Sequence, residues 1–193
     1  GVWINSTPLS LKELRGKVVL IDFWTYSCIN CQRTLPYLRA WNEKYAEKGL
    51  VIIGVHAPEF EFEKNADNVR KAVLDFGLTY PIVQDNNFAT WRAYGNHYWP
   101  AKYFIDAEGN IRYHHFGEGG YDESERVIQE LLREAGEQNV PTVTNNPSYT
   151  VLAQTPETYV GFARLERCVS PESIHSNERF RYTAPETLPS NRF

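Results

Sequence analysis

The feature that most constrains this chain is a pair of cysteines, Cys28 and Cys31, placed where an apolar strand gives way to a helix. Residues 18–24 are apolar except for one aspartate, which predicts a buried strand. Apolar residues then recur along one stripe of residues 29–48, which predicts a helix. Because a helix N-terminus stabilises a thiolate, this placement favours redox chemistry over metal binding.

Thiol–disulfide exchange requires an attacking thiolate whose pKa lies near ambient pH and a second thiol that resolves the mixed disulfide. At the helix cap, unpaired backbone N–H groups and the helix dipole favour the thiolate of Cys28. The pKa of a cysteine falls from about 8.5 to roughly 3.5–7.5 in such motifs. We predict that Cys28 is the exposed nucleophile and Cys31 the more buried resolving thiol, with no cofactor beyond this redox-active pair.

A zinc site is the first alternative reading of the two cysteines. A structural zinc site normally needs four Cys or His ligands. Beyond the pair the sequence offers Cys168 and five histidines, none of which forms a second pair at ligand spacing. We therefore expect no metal, although a zinc knuckle or an inert pair stays open at this point.

Composition excludes two classes of protein. The net charge is -4 and the isoelectric point is about 5.8, which argues against a nucleic-acid-binding protein. No apolar run reaches the roughly 18 residues that a membrane-spanning helix needs. The sequence contains no methionine, and we expect it to be a processed or excised piece of a longer protein.

The order of predicted elements indicates an α/β fold. Early alternation of strand and helix favours a parallel βαβ unit, and a turn at residues 106–110 makes the last two strands an antiparallel hairpin. Strands are predicted at about 17–24, 50–56, 81–84, 101–106 and 110–116, and helices at about 29–48, 64–76, 87–94 and 122–135.

The composition and the apolar periodicity of the sequence change from Gln138 onward. Residues 140–148 have the composition of a linker, and the remainder has scattered apolar residues without a clear period. We predict a redox domain over 1–137, followed over 138–193 by a linker and the start of a truncated β-rich domain. Cys168 is expected to be an unpaired thiol outside the catalytic domain.

Residues 21–31 resemble the active-site segment of the thioredoxin superfamily, and residues 99–103 resemble its strand start with a cis-proline. The sharper resemblance is to the extracytoplasmic TlpA/ResA branch, and within it to the soluble C-terminal region of DipZ-type, CcdA-fused thiol–disulfide interchange proteins. It rests also on residues 54–60, 98–103 and 155–159. The resemblance implies a thioredoxin-like three-layer sandwich with a central mixed sheet, plus a C-terminal β-type fragment or extended tail.

Two carboxylates are candidate site residues. Asp22 lies in the apolar strand, where burial would raise its pKa, and the resemblance assigns it as proton acceptor from Cys31. The alternative is a structural acid paired with Lys102 or a backbone donor. The resemblance also places Glu59 beside the cysteine pair, whereas the alternative is an ordinary loop carboxylate in an acidic stretch.

The resemblance implies that the Trp99–Pro100 bond is cis and turns the backbone of Trp99 toward Cys28, where it can pair with an extended substrate strand. Trp24, Tyr26 and Trp99 are then expected to line an apolar substrate rim. Core packing is the alternative for each of these aromatic side chains.

The resemblance implies a thiol–disulfide oxidoreductase of the periplasm or cell envelope, tethered to the membrane through a missing N-terminal part. It favours the reducing direction, with electrons passing from a CcdA-like membrane donor, fused upstream, to disulfides of envelope proteins. Cytochrome c maturation is one pathway of this kind. The alternatives are a thiol peroxidase, because residues 81–116 resemble a redoxin region, and a binding module with a vestigial cysteine pair.

Overall fold

A six-stranded sheet organises the first part of the chain. The computed structural model describes residues 1–144, 146, 169–172, 181, 183, 186 and 187. In chain order the elements are β1 (Trp3–Ile4), β2 (Val18–Trp24), α1 (Ile29–Tyr45), β3 (Leu50–His56), α2 (Ala66–Asp75), β4 (Ile82–Gln84), α3 (Ala89–Ala93), β5 (Ala101–Ile105), β6 (Ile111–Phe116) and α4 (Tyr121–Glu134), with 3-10 turns at Ala46–Lys48 and Glu61–Lys64.

The sheet is mixed, and its strand order is β1-β4-β3-β2-β5-β6. Strand β2 pairs in parallel with β3 and antiparallel with β5, while β5 and β6 form an antiparallel hairpin. The predicted βαβ unit and hairpin are therefore confirmed, as is the thioredoxin-like fold class. The short strand β1, which pairs antiparallel with β4, was not predicted.

Strand β2 is central, and all seven of its residues are buried. Because successive side chains of a strand point to opposite faces, Val18, Leu20 and Trp24 join the core under α1, α2 and α4. Val19, Ile21 and Phe23 join the core on the other face, beside α3 and residues of the N-terminal segment. By the same alternation Asp22 lies on the α1 face, which is also where Cys31 is buried.

The chain after α4 packs back onto the same unit. Val140 is buried in the core on the α1 face, and Arg133 Nη2 donates to the carbonyl oxygen of Pro141 at 2.8 Å. Trp41 Nε1 donates to Asn146 Oδ1 at 2.8 Å. The first compact unit is Gly1–Pro147, so it continues past residue 137, where the sequence placed a boundary.

The second compact unit is Ser148–Phe193. Within it, Ser170 and Thr183 donate hydrogen bonds to the carboxylate of Glu172. Cys168 and residues 155–159 lie outside the described residues. The β-rich character of residues 138–193 therefore stays a prediction.

Candidate active site

The two cysteines occupy the first turn of α1. Cys28 is the N-cap residue, with an extended backbone, and its Sγ accepts a hydrogen bond from Cys31 N at 3.3 Å. Cys28 is half-buried, whereas Cys31 is fully buried and belongs to the core cluster. An incoming disulfide can therefore reach Cys28 before it can reach Cys31.

The environment gives the two thiols opposite protonation tendencies. Hydrogen bonds from the Cys31 thiol, and from the backbone N–H groups of Cys31 and Asn30, lower the pKa of Cys28 to about 7, against the opposing effect of burial. Burial raises the pKa of Cys31 well above its usual value, and the neighbouring Cys28 and Asp22 raise it further. Near neutral pH, a substantial fraction of Cys28 is therefore thiolate, whereas Cys31 keeps its proton.

A buried ion pair lies on the same face of the sheet. Asp22 on β2 is opposite Lys102 on β5, and Lys102 Nζ lies 3.6 Å from Asp22 Oδ1. Both side chains are almost completely inaccessible to solvent, and within the described part of the chain neither has a hydrogen-bond partner. Burial raises the pKa of Asp22, and Lys102 offsets this only in part. The charge of Asp22 also acts on Cys31, whose pKa it raises.

A second buried carboxylate, Glu63, contacts the loop that leads into Cys28. Its Oε1 accepts hydrogen bonds from Ser27 N at 3.3 Å and Ser27 Oγ at 2.5 Å. Its Oε2 accepts from Glu59 N at 2.6 Å and Phe60 N at 2.9 Å. Burial alone would raise the pKa of Glu63, but hydrogen bonds, led by those from Ser27 and Thr25, outweigh it and lower the pKa. Glu63 therefore stays ionised near neutral pH.

A buried histidine, His56, contacts the same loop that leads into Cys28. His56, the last residue of β3, accepts a hydrogen bond from Tyr26 N at its Nε2 atom, at 3.3 Å. The ring of Tyr26 stacks on the imidazole with centroids 5.6 Å apart. Burial lowers the pKa of His56 to about 4, so the imidazole is neutral at physiological pH and can act as this acceptor.

Glu59, the second candidate carboxylate, lies on the loop that follows β3. It follows buried Pro58 at the end of β3 and is itself exposed. Its negative charge acts on Cys28 and opposes the lowering of that thiol's pKa. A role of Glu59 in setting the pKa of Cys28 stays a prediction.

The expected aromatic rim is only partly present. Trp24 is completely buried in the core on the α1 face, so the expectation that it contacts substrate is wrong: a central strand buries both of its faces. Tyr26 is half-buried, and its hydroxyl donates to the carbonyl oxygen of Phe62 at 3.3 Å. Trp99 is also half-buried; its Nε1 donates to the carbonyl oxygen of Ala57 at 3.0 Å, and the Trp99–Pro100 bond is cis.

Several residues of the site were missed from the sequence. Ile29, Phe60 and Phe62 are each about half exposed, and the two phenylalanine rings stack with centroids 5.5 Å apart. His56 and Glu63 are buried instead. For Phe60, Phe62 and Glu63, the alternation of acids and phenylalanines over residues 59–63 is the signal that the sequence offers.

The described part of the chain contains neither a cluster of metal ligands nor a membrane-crossing helix. There, no three His, Cys, Asp or Glu side chains are grouped as a metal ion would require. No described helix is both long and apolar enough to cross a membrane.

Comparison with known proteins identifies relatives for most of the chain. Residues 4–114 match the model of the AhpC/TSA family. Protein DipZ of Mycobacterium bovis is 49% identical over 170 residues, which cover 84% of this chain and 24% of DipZ. The chain therefore spans about a quarter of the length of that relative.

Two shorter relatives match over most of their own length. The thiol-disulfide oxidoreductase YkuV of Bacillus subtilis is 28% identical over 132 residues, covering 68% of this chain and 88% of YkuV. A thiol-disulfide isomerase structure from Corynebacterium glutamicum superposes with a TM-score of 0.63 at 23% identity, covering 68% of this chain and 91% of the isomerase. At that identity the superposition shows the common thioredoxin-like fold.

Proposed function

This chain belongs to the AhpC/TSA family, and we propose that it is a thiol–disulfide oxidoreductase in which Cys28 attacks and Cys31 resolves. The observation that carries the proposal is the asymmetry of the two thiols. Cys28 is accessible at the N-cap of α1, with its pKa lowered to about 7. Cys31 is buried one turn later, with its pKa raised. Disulfide exchange needs this division between an attacking thiolate and a protonated resolving thiol.

The proposed reaction has two displacement steps. The Cys28 thiolate attacks one sulfur of a client disulfide, which breaks that bond and releases one client thiolate. Cys31 then gives its proton to Asp22, and its sulfur attacks Cys28 to release the second client thiolate. Two electrons pass to the client, and the chain is left with a Cys28–Cys31 disulfide. A dithiol donor must reduce that disulfide before the next cycle.

The proposal extends to the direction of electron flow, the electron donor and the cellular compartment. The similarity to DipZ supports the reducing direction, a CcdA-like membrane donor and an extracytoplasmic location with disulfide-containing envelope proteins as clients. The reduction potential of the cysteine pair tests the direction. We expect a potential of about −270 mV, as in thioredoxin. A potential of about −120 mV, typical of a strong oxidant, would reverse the proposed direction of electron flow.

A thiol peroxidase is the second candidate, because the AhpC/TSA model matches the chain. The close spacing of two thiols favours disulfide exchange. Arg33, the arginine nearest to the pair in sequence, is engaged with Glu118, with Arg33 Nη1 lying 3.3 Å from Glu118 Oε1.

One pair of assays separates these functions. With dithiothreitol as the common reductant, we expect the chain to accelerate reduction of insulin disulfides and to leave hydrogen peroxide consumption at the rate of dithiothreitol alone. The physical reason is that Cys31 can resolve a mixed disulfide within the same helical turn. Faster consumption of peroxide than of insulin disulfides would favour the peroxidase, and no acceleration of either would favour a binding module.

A further inference from the structure

The carboxylate of Glu63 joins two loops that the sheet itself no longer holds together. The parallel ladder of β2 and β3 ends with the hydrogen bond from Ala57 N to the carbonyl oxygen of Trp24 at 3.0 Å. Beyond that point the segment after β2 leads to Cys28, and the segment after β3 leads to Glu59. Glu63 is 0% exposed and accepts hydrogen bonds from Ser27 on one side and from Glu59 N and Phe60 N on the other.

We propose that Glu63 is a positioning residue whose buried carboxylate ties the backbone before Cys28 to the backbone of Glu59, and so fixes the Glu59 carboxylate relative to the Cys28 thiol. The proposal rests on the proposed function only in taking Cys28 as the attacking thiol. Glu63 itself does not touch the reacting sulfur, and it acts through Ser27 and Glu59.

Only an ionised carboxylate satisfies this arrangement. The donors that converge on its two oxygens include the amide and hydroxyl of Ser27 and the amides of Glu59 and Phe60, and the side chain of Thr25 also favours the ionised form. A glutamine has a single acceptor oxygen, and its NH₂ group would face N–H donors on one of the two sides. Glu63→Gln can therefore keep one loop attached and must release the other.

Release of the Glu59 loop would change the electrostatic environment of the Cys28 thiol. Hydrogen bonds from Cys31 and from the N–H groups at the start of α1 favour the Cys28 thiolate, whereas burial and, to a smaller extent, the charge of Glu59 oppose it. A unit charge interacts with another in inverse proportion to distance. Freeing the loop that carries Glu59 therefore weakens the effect of that charge on Cys28, without any change in Cys28 or Glu59 themselves.

The test measures the titration of Cys28 by its rate of alkylation with iodoacetamide against pH, which needs no client protein. In the wild type we expect a midpoint near the pKa of about 7, and Glu59→Gln should lower it because a negative charge is removed. In the Glu63→Gln background, most of the shift caused by Glu59→Gln should disappear. Glu63→Asp should give the same loss, since its shorter side chain cannot reach both loops.

Glu61→Gln is the matched control, because Glu61 lies on the same 3-10 turn, is 87% exposed and pairs with Lys64 on the surface. In that background we expect the full Glu59→Gln shift. The same full shift in both Glu63 variants would overturn the proposal, even if their melting temperatures fell. Insulin reduction, measured in parallel, reports separately on the proposed function.

Discussion

The Cys28→Ser substitution is expected to lower the rate of insulin-disulfide reduction by roughly 10³-fold or more, to the background rate of the reductant alone. A serine hydroxyl does not ionise near neutral pH, so the N-terminus of α1 has no thiolate to stabilise. In the wild type, turnover should rise with pH through about 7, where Cys28 loses its proton. Steady-state turbidity assays of Cys28→Ser across this pH range make the comparison.

Cys168→Ser is the control for that experiment, because Cys168 is the third cysteine of the sequence. We expect this variant to keep the turnover of the wild type. Substantial turnover in Cys28→Ser, or an equal loss in Cys168→Ser, would contradict the assignment of the nucleophile.

Removing the cation of the buried pair should have the largest effect on stability. Lys102→Met leaves the buried carboxylate of Asp22 without its partner at 3.6 Å, and breaking a buried pair in this way costs about 3–5 kcal/mol of unfolding free energy. Denaturant unfolding in mildly alkaline buffer measures the loss. Lys71→Met is the surface control, because Lys71 and Asp75 are both more than half exposed, and such pairs contribute about 0–1 kcal/mol.

The pH dependence gives this prediction a definite sign. Burial raises the pKa of Asp22 in the folded state, so its contribution to stability is fully present below its unfolded pKa and is lost as pH rises through the folded value. Loss of Lys102 raises the folded pKa further. The deficit of Lys102→Met should therefore shrink in mildly acidic buffer. The double variant Asp22→Asn/Lys102→Met should recover most of it, and a deficit independent of pH would contradict the pairing.

Local sequence patterns were sufficient to predict the centre of the fold and the thiol pair. The period of α1 and the apolar run of β2 are both short-range signals, and together they place Cys28 at a helix cap. The strand β1 was not predicted because it has only two residues, which pair with β4 about 80 residues away in the sequence. Its formation depends on that partner and not on its own periodicity.

The parts of the site that were not predicted depend on tertiary contacts. Glu63 and Ser27 are 36 residues apart, and nothing in the acidic stretch distinguishes buried Glu63 from exposed Glu61. Trp24 was misassigned because a buried central strand has no alternation of polar and apolar residues that would reveal which face meets substrate. The contact of Asp22 with Lys102 follows from the register of β2 with β5, which pairs residues 80 positions apart in the sequence.

The central claim, that Cys28 attacks and Cys31 resolves, is tested most directly by trapping the mixed disulfide. Cys31→Ser, reduced and then mixed with a client disulfide without further reductant, should accumulate a covalent one-to-one adduct that peptide mass spectrometry locates on Cys28. The wild type should release its client and show an internal Cys28–Cys31 disulfide. An adduct that forms instead on Cys31, in Cys28→Ser and at a rate comparable to that of Cys31→Ser, would contradict the account.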